Sequence, residues 1–330
     1  MASSDGMKGI FGGEVLWAIA MSTLVFLAAS ATATFISFSV LIIPLPLLYF
    51  YSRLGRMRGA AVFLVSLAIT MAAGALAEMV LSLRLLVLVG LAGPVLSEVI
   101  RRNLSIERTV LGASIVLLGL GVLLVVLDGL SQGVAPWTVF VDGVRTVVDD
   151  RIELIKRLGI ASEQIQFITR NVDLIVATVL SLLPSFLGVG ILFFVWANVL
   201  AGRVLFIRKG MWYPDYGDLS RWKLPDNLVW LFIAAAGSLL IPLWVVRIAG
   251  LNVLFILMFA YLLQGLALVG YFFRSKGIPP ALRGIGYLLI AAQQIMLVLL
   301  ALLGLIDVWA DFRKIRMTDK KKESCENEEE

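Results

Sequence analysis

Four side chains set a polar head in an apolar part of the sequence and could hold a ligand there: Arg84, Asn252, Gln264 and Gln293. Gln264 and Gln293 each stand about eight to twelve residues from the shared inner turn bracketed by Arg274 and Arg283. On antiparallel helices their amides would reach similar depth, where they can bond across the helices or coordinate a solute. Plain interhelical bonding would contribute only about 0.6–2 kcal/mol per pair. Arg84 lies one to two turns inside an apolar run with Glu78 ahead of it, so it either marks a functional site or snorkels outward to meet Glu78. Asp149-Asp150 could offer two carboxylates to a divalent ion, but the surrounding arginines make a solvated charged face the simpler reading. Glu98 with Arg101 and Arg102 reads as a helix-end pair.

Several chemistries lack their parts. The chain has no histidine, and its one cysteine, Cys325, lies in an acidic tail, so neither an internal disulfide nor a Cys/His metal centre can form. No P-loop, GxSxG or HExxH motif occurs. We therefore expect no enzymatic activity, no cofactor and no metal. The net charge of +5 does not imply a nucleic-acid partner, because the basic residues flank apolar runs, where they orient membrane spans.

The elements that would position these side chains are helices in a bilayer. Sixty per cent of the 330 residues are apolar, 15% are charged, and the mean hydropathy is +0.96. The fold class is all-α: a polytopic transmembrane helical bundle of about nine spans with one outer-face amphipathic helix. A lead at 1–13 precedes a single transmembrane domain at 14–310, and 311–330 forms a charged disordered tail. Spans are expected at 15–33, 36–51, 59–77, 79–100, 109–127, 173–201, 228–246, 252–273 and 284–310. Pro44 and Pro46 should bend or end the second, Pro184 should kink the sixth, and 247–251 should be a turn. Apolar residues spaced near 3.5 across 137–158, with charges between them, predict the amphipathic helix. Gly265, Gly270, Gly284, Gly286 and Gly304 would let the last helices approach closely.

The chain is organised around a polar hinge at 202–226. Arg203, Arg208, Lys209, Arg221 and Lys223 interrupt the apolar runs there, with Trp212, Pro214, Trp222 and Pro225 suited to headgroup level. With the N-terminus inside, the inner segments carry 15 Lys and Arg against six in the outer loops. The expected location is a bacterial inner membrane, multi-pass, with a cytoplasmic N-terminus. Nine spans leave the basic tail outside, against that charge rule.

The hinge with Trp212 and Pro214, Trp222-x-x-Pro225, Asn252, Gln264-Gly265-Leu266-Ala267, Pro279-Pro280 and the upstream Pro44-x-Pro46 resemble the YybS-like family of bacterial multi-pass membrane proteins. The resemblance implies a domain of unknown function, with a distant likeness to the substrate-binding components of energy-coupling-factor vitamin transporters. It carries no catalytic residues. Two functions are left open. One is a small-solute transporter or membrane substrate-binding component, with a pocket among Pro- and Gly-broken helices. The other is a non-catalytic scaffold or assembly factor docking a membrane protein partner. Beside the lipid bilayer, the open partners are an unidentified small molecule and that protein.

Overall fold

The computed structural model describes residues 12–31, 41–76, 83–157 and 170–313. Glu78, the first hairpin turn, the expected cap at Ser162-Glu163 and the tail beyond Arg313 lie outside them. Among the described residues there are eleven α-helices and no strand: α1 (Gly13–Ala31), α2 (Pro44–Leu54), α3 (Arg56–Leu76), α4 (Leu83–Ile100), α5 (Ile106–Gln132), α6 (Pro136–Arg157), α7 (Val172–Arg208), α8 (Leu228–Ser238), α9 (Trp244–Ser275), α10 (Pro280–Ala292) and α11 (Gln294–Ala310). Four of them, α3, α5, α7 and α9, are long and apolar enough to cross a membrane. The bent pair α10–α11 makes a fifth if counted as one span. Apolar segments of α1, α4 and α8 are shorter, so the expected nine full spans are not found.

The chain divides into two compact units, one of Met1–Arg170 with Gly190–Asp215, the other of Asn171–Val189 with Tyr216–Glu330. The first has a core of Val15, Ala18, Phe26, Leu47, Val62, Phe63 and Val89 from α1 to α4. Pro44 and Pro46 open α2 rather than ending it, since a missing N–H costs nothing in a first turn. Gly93 admits α2, for a Cβ there would lie 2.8 Å from the Leu48 nitrogen. Glu98 is held by Arg56 through Nε and Nη2, at 2.8 and 2.7 Å, with the Arg101 charge acting on it as well, while Arg101 bonds the carbonyls of Tyr51 and Ser52. The amphipathic helix is α6, as its periodicity predicts, with its Glu153–Arg157 pair at 2.6 Å and Asp149-Asp150 exposed. It is set off from α5 by Gly133, whose left-handed φ of 68° suits glycine.

The second unit is built on α9. Its neighbour α8 has only 11 residues, and the break after it falls at 239–243 rather than at the expected 247–251, which lie inside α9. Pro242 accounts for this: it lacks an N–H and excludes the helical conformation from the residue before it. Gly250 stays helical because α8 crosses there, and a Cβ would strike the Ser238 hydroxyl and, at 2.9 Å, the Ala235 carbonyl.

The expected single span at 284–310 is two helices meeting at 105°. Gln293 is the break, with φ −111° and ψ 107°. No residue of α10 is buried, whereas α11 buries Leu300, Ala301, Gly304, Asp307 and Val308, so only α11 is held by the core. It runs antiparallel to α9 in backbone contact: a Cβ at Gly265 would overlap the Leu300 carbonyl, and one at Gly304 the Tyr261 carbonyl. Gly270 and Gly286 similarly admit Tyr287 and Phe273 side chains, but Gly284 faces open space.

Candidate functional site

The hinge divides into a helical part and an irregular part that holds one 3-10 turn at Leu219–Arg221. Helix α7 continues to Arg208, so Arg203 and Arg208 are helical; Arg203 stands 3.9 Å from Asp215, and Lys209 follows the helix end exposed. Trp212 is exposed, Pro214 is buried, and Tyr213 donates to the Val199 carbonyl at 2.7 Å.

In the second unit the irregular stretch does not stay at the end of α9 but descends along it. Asp218 bonds Arg274 near the helix terminus. Ser220 follows beside Gly270, and the Leu224 N–H donates to Gln264 Oε1 at 3.1 Å. Gln264 lies about 16 Å along the axis from Ser275 at the helical rise. The irregular stretch thus runs alongside α9 for about three turns, from Asp218 at Arg274 to Leu224 at Gln264. Its buried backbone groups persist only where other protein groups satisfy them.

Those groups form a buried cluster. Gln264 Nε2 donates to Asp307 Oδ2 at 3.2 Å. The Arg313 guanidinium reaches the same oxygen at 2.5 Å and, through Nη1, the carbonyls of Ser220 at 3.0 Å and Trp222 at 2.8 Å. The Phe312 N–H donates to Asp307 Oδ1 at 3.1 Å. The Arg313 and Asp307 side chains are 0% and 1% exposed. Two polar atoms here have no hydrogen-bond partner among the described residues, Arg313 Nε and the Tyr261 hydroxyl. At the mouth of the hinge, burial would push the Asp218 carboxyl up, but the Ser220 hydroxyl and N–H and the charges of Arg274 and Arg221 hold it below its ordinary value.

Asn252 works elsewhere on α9. Its Nδ2 donates to the Ser181 carbonyl at 2.8 Å and to Ile248 O at 2.9 Å, while its Oδ1 accepts from the Ser185 N–H at 2.8 Å. These groups of α7 flank Pro184. Gln293, at the α10–α11 break, is exposed and makes no bond to Gln264. Arg84 lies on α4, but its side chain is outside what the structure describes. Trp222 is half-buried, Pro225 exposed, and Pro279 and Pro280 open α10 as its N-cap and first residue. In the first unit a cavity of about 290 Å³ lies among Glu14, Trp17, Phe50 and Arg53, and none of the expected site residues lines it.

Sequence reasoning paired Gln264 with Gln293 and missed Asp307, Arg313 and Ser220. Asp307 was legible as an acidic residue inside the run LLGLIDVWA, where the rule applied to Arg84 applies equally. Arg313, at the start of the basic tail, gave no such signal.

The family described as predicted membrane protein (DUF2232) matches residues 20–308. The chain belongs to this family. The match takes in every DUF2232 element from α2 to α10 and most of α1 and α11, and it agrees with the resemblance carried by the hinge and proline motifs. No curated protein and no solved structure matches the chain. As a member of DUF2232, the protein is a membrane protein with helices able to span the bilayer.

Proposed function

We propose that the chain is a non-catalytic small-solute transporter or membrane substrate-binding component of the bacterial inner membrane, with its N-terminus in the cytoplasm. The observation that carries this reading is the descent of the irregular hinge along α9 to the buried Gln264–Asp307–Arg313 cluster. Discontinuous elements meeting at membrane depth around ionisable groups are the usual setting of solute and ion sites in transporters. The break between α8 and α9 and the bend at Gln293 add two further discontinuities in the same unit. Arg221 and Asp226 are exposed close to Leu224. Exposed charges there call for water rather than lipid around this end of the hinge.

Native mass spectrometry of the full-length protein in lipid nanodiscs tests it. The expected result is a co-purified small molecule, lost in Gln264→Leu while the helical circular dichroism is unchanged. A stoichiometric protein partner with a core holding only lipid would overturn the reading and favour the scaffold.

A further inference from the structure

The Asp307 cluster is assembled as a cation site. One carboxylate oxygen and two backbone carbonyls, those of Ser220 and Trp222, converge on a single guanidinium. Each acceptor is held in place by something else. Asp307 is fixed by the Gln264 amide and the Phe312 N–H, and Gln264 is fixed in turn by the Leu224 N–H. The cradle also sits at the C-terminal end of α11, the end that favours positive charge. Carbonyls of unwound backbone beside a helix C-terminus are the groups with which discontinuous membrane helices hold cations.

The present occupant comes from the chain itself and fits incompletely. Arg313 arrives through a turn in which Asp311 takes a left-handed φ of 41°, and its buried Nε has no partner among the described residues. A guanidinium that fills its seat satisfies every N–H, because each one left buried and unbonded is costly.

We propose that this cradle binds a small cation bearing N–H donors, a guanidinium or primary ammonium group, and that Arg313 is its tethered competitor. The proposal rests on the solute-binding function above and names the class of solute. Asp307 supplies the countercharge, Ser220 and Trp222 accept the outer N–H groups, and Gln264 positions the carboxylate.

Equilibrium binding of radiolabelled methylguanidinium to the full-length protein in nanodiscs, at fixed ionic strength, is the test. Wild type should bind weakly but saturably. Arg313→Ala should bind at least about a hundredfold tighter, because an intramolecular competitor that leaves a buried carboxylate open less than about a hundredth of the time weakens apparent affinity by that factor. Adding Asp307→Asn to Arg313→Ala should abolish binding. Methylammonium should compete, and sodium at the same ionic strength should not.

Arg313→Gln serves if the alanine variant does not fold. A neutral amide cannot replace the tethered cation, so binding should rise above wild type, and affinity equal to wild type would overturn the proposal. The absence of saturable binding in both wild type and a folded Arg313 variant would overturn it too. Equal competition by sodium would do the same, marking an alkali-ion site. A co-purified solute whose retention ignores Asp307→Asn would sink this proposal and leave the transport reading standing. Methylguanidinium binding without flux in proteoliposomes would support this proposal and exclude a self-contained transporter in favour of the substrate-binding component.

Discussion

The amide of Asn252 bridges two groups one helical turn apart in α7: its Oδ1 accepts from the Ser185 N–H and its Nδ2 donates to the Ser181 carbonyl, both at 2.8 Å. In a regular helix those two groups would bond each other, but Pro184 stands between them and its ring disturbs the preceding turn. An amide inserted from α9 thus lets an apolar helix carry a proline without leaving a buried donor or acceptor open.

Asn252→Ala should destabilise the protein by about 1–3 kcal/mol, the range for buried polar groups left unsatisfied. Pro184→Ala lets α7 close its own bond, so Asn252→Ala should cost much less in that background. A double-mutant cycle of detergent unfolding measures the coupling, and strict additivity would refute the bridging role.

Gly304→Val should destabilise by about 1–3 kcal/mol, because the new Cβ meets the Tyr261 carbonyl, which no rotamer change can move. Gly284→Ala faces open space within α10 and should gain about 0.5–1 kcal/mol of helix propensity. Thermal unfolding of the two variants side by side separates contact from composition.

Arg313→Met should cost about 3–5 kcal/mol by leaving the Asp307 carboxylate buried without its ion pair. Asp307→Leu with Arg313→Met should recover much of that loss, since replacing both charges with apolar groups removes the desolvation penalty. If the double variant unfolds as readily as the single one, the carbonyls of Ser220 and Trp222 carry the stability rather than the pair.

Acid should loosen the hinge mouth. The Asp218 carboxyl is held below its ordinary value in the folded protein, so its contribution is fully present above that value and is lost as pH falls through the depressed one, below about pH 4. Amide exchange at Ser220 should rise across that window in wild type and stay level in Asp218→Asn. Because Asp218 and Arg274 are 40% and 55% exposed, the effect should shrink in high salt.

Membrane character, the all-helical class and the amphipathic α6 were legible because each rests on local pattern: hydropathy sets the first two and a 3.5 period sets the third. Span limits were not. Arg203 and Arg208 looked like loop residues, yet the end of a helix welcomes basic side chains, and α7 runs through both. The bend at Gln293 depends on α10 burying nothing while α11 locks onto α9, which no window of sequence contains. The course of the hinge along α9 was hidden for a similar reason. Its irregular backbone is tolerable only because Gln264 and Arg313 reach it from 40 and 93 residues away.

That last separation fixes an order of synthesis. The Ser220 carbonyl leaves the ribosome 93 residues before the arginine that neutralises its surroundings. By then α8, α9, α10 and α11 have all been made, and Asp307 has emerged without its counter-ion. The cluster therefore cannot close until the end of the second unit is translated. The unit's last described residue completes the cluster, and until then the nascent hinge must keep its carbonyls hydrated or bonded to something else.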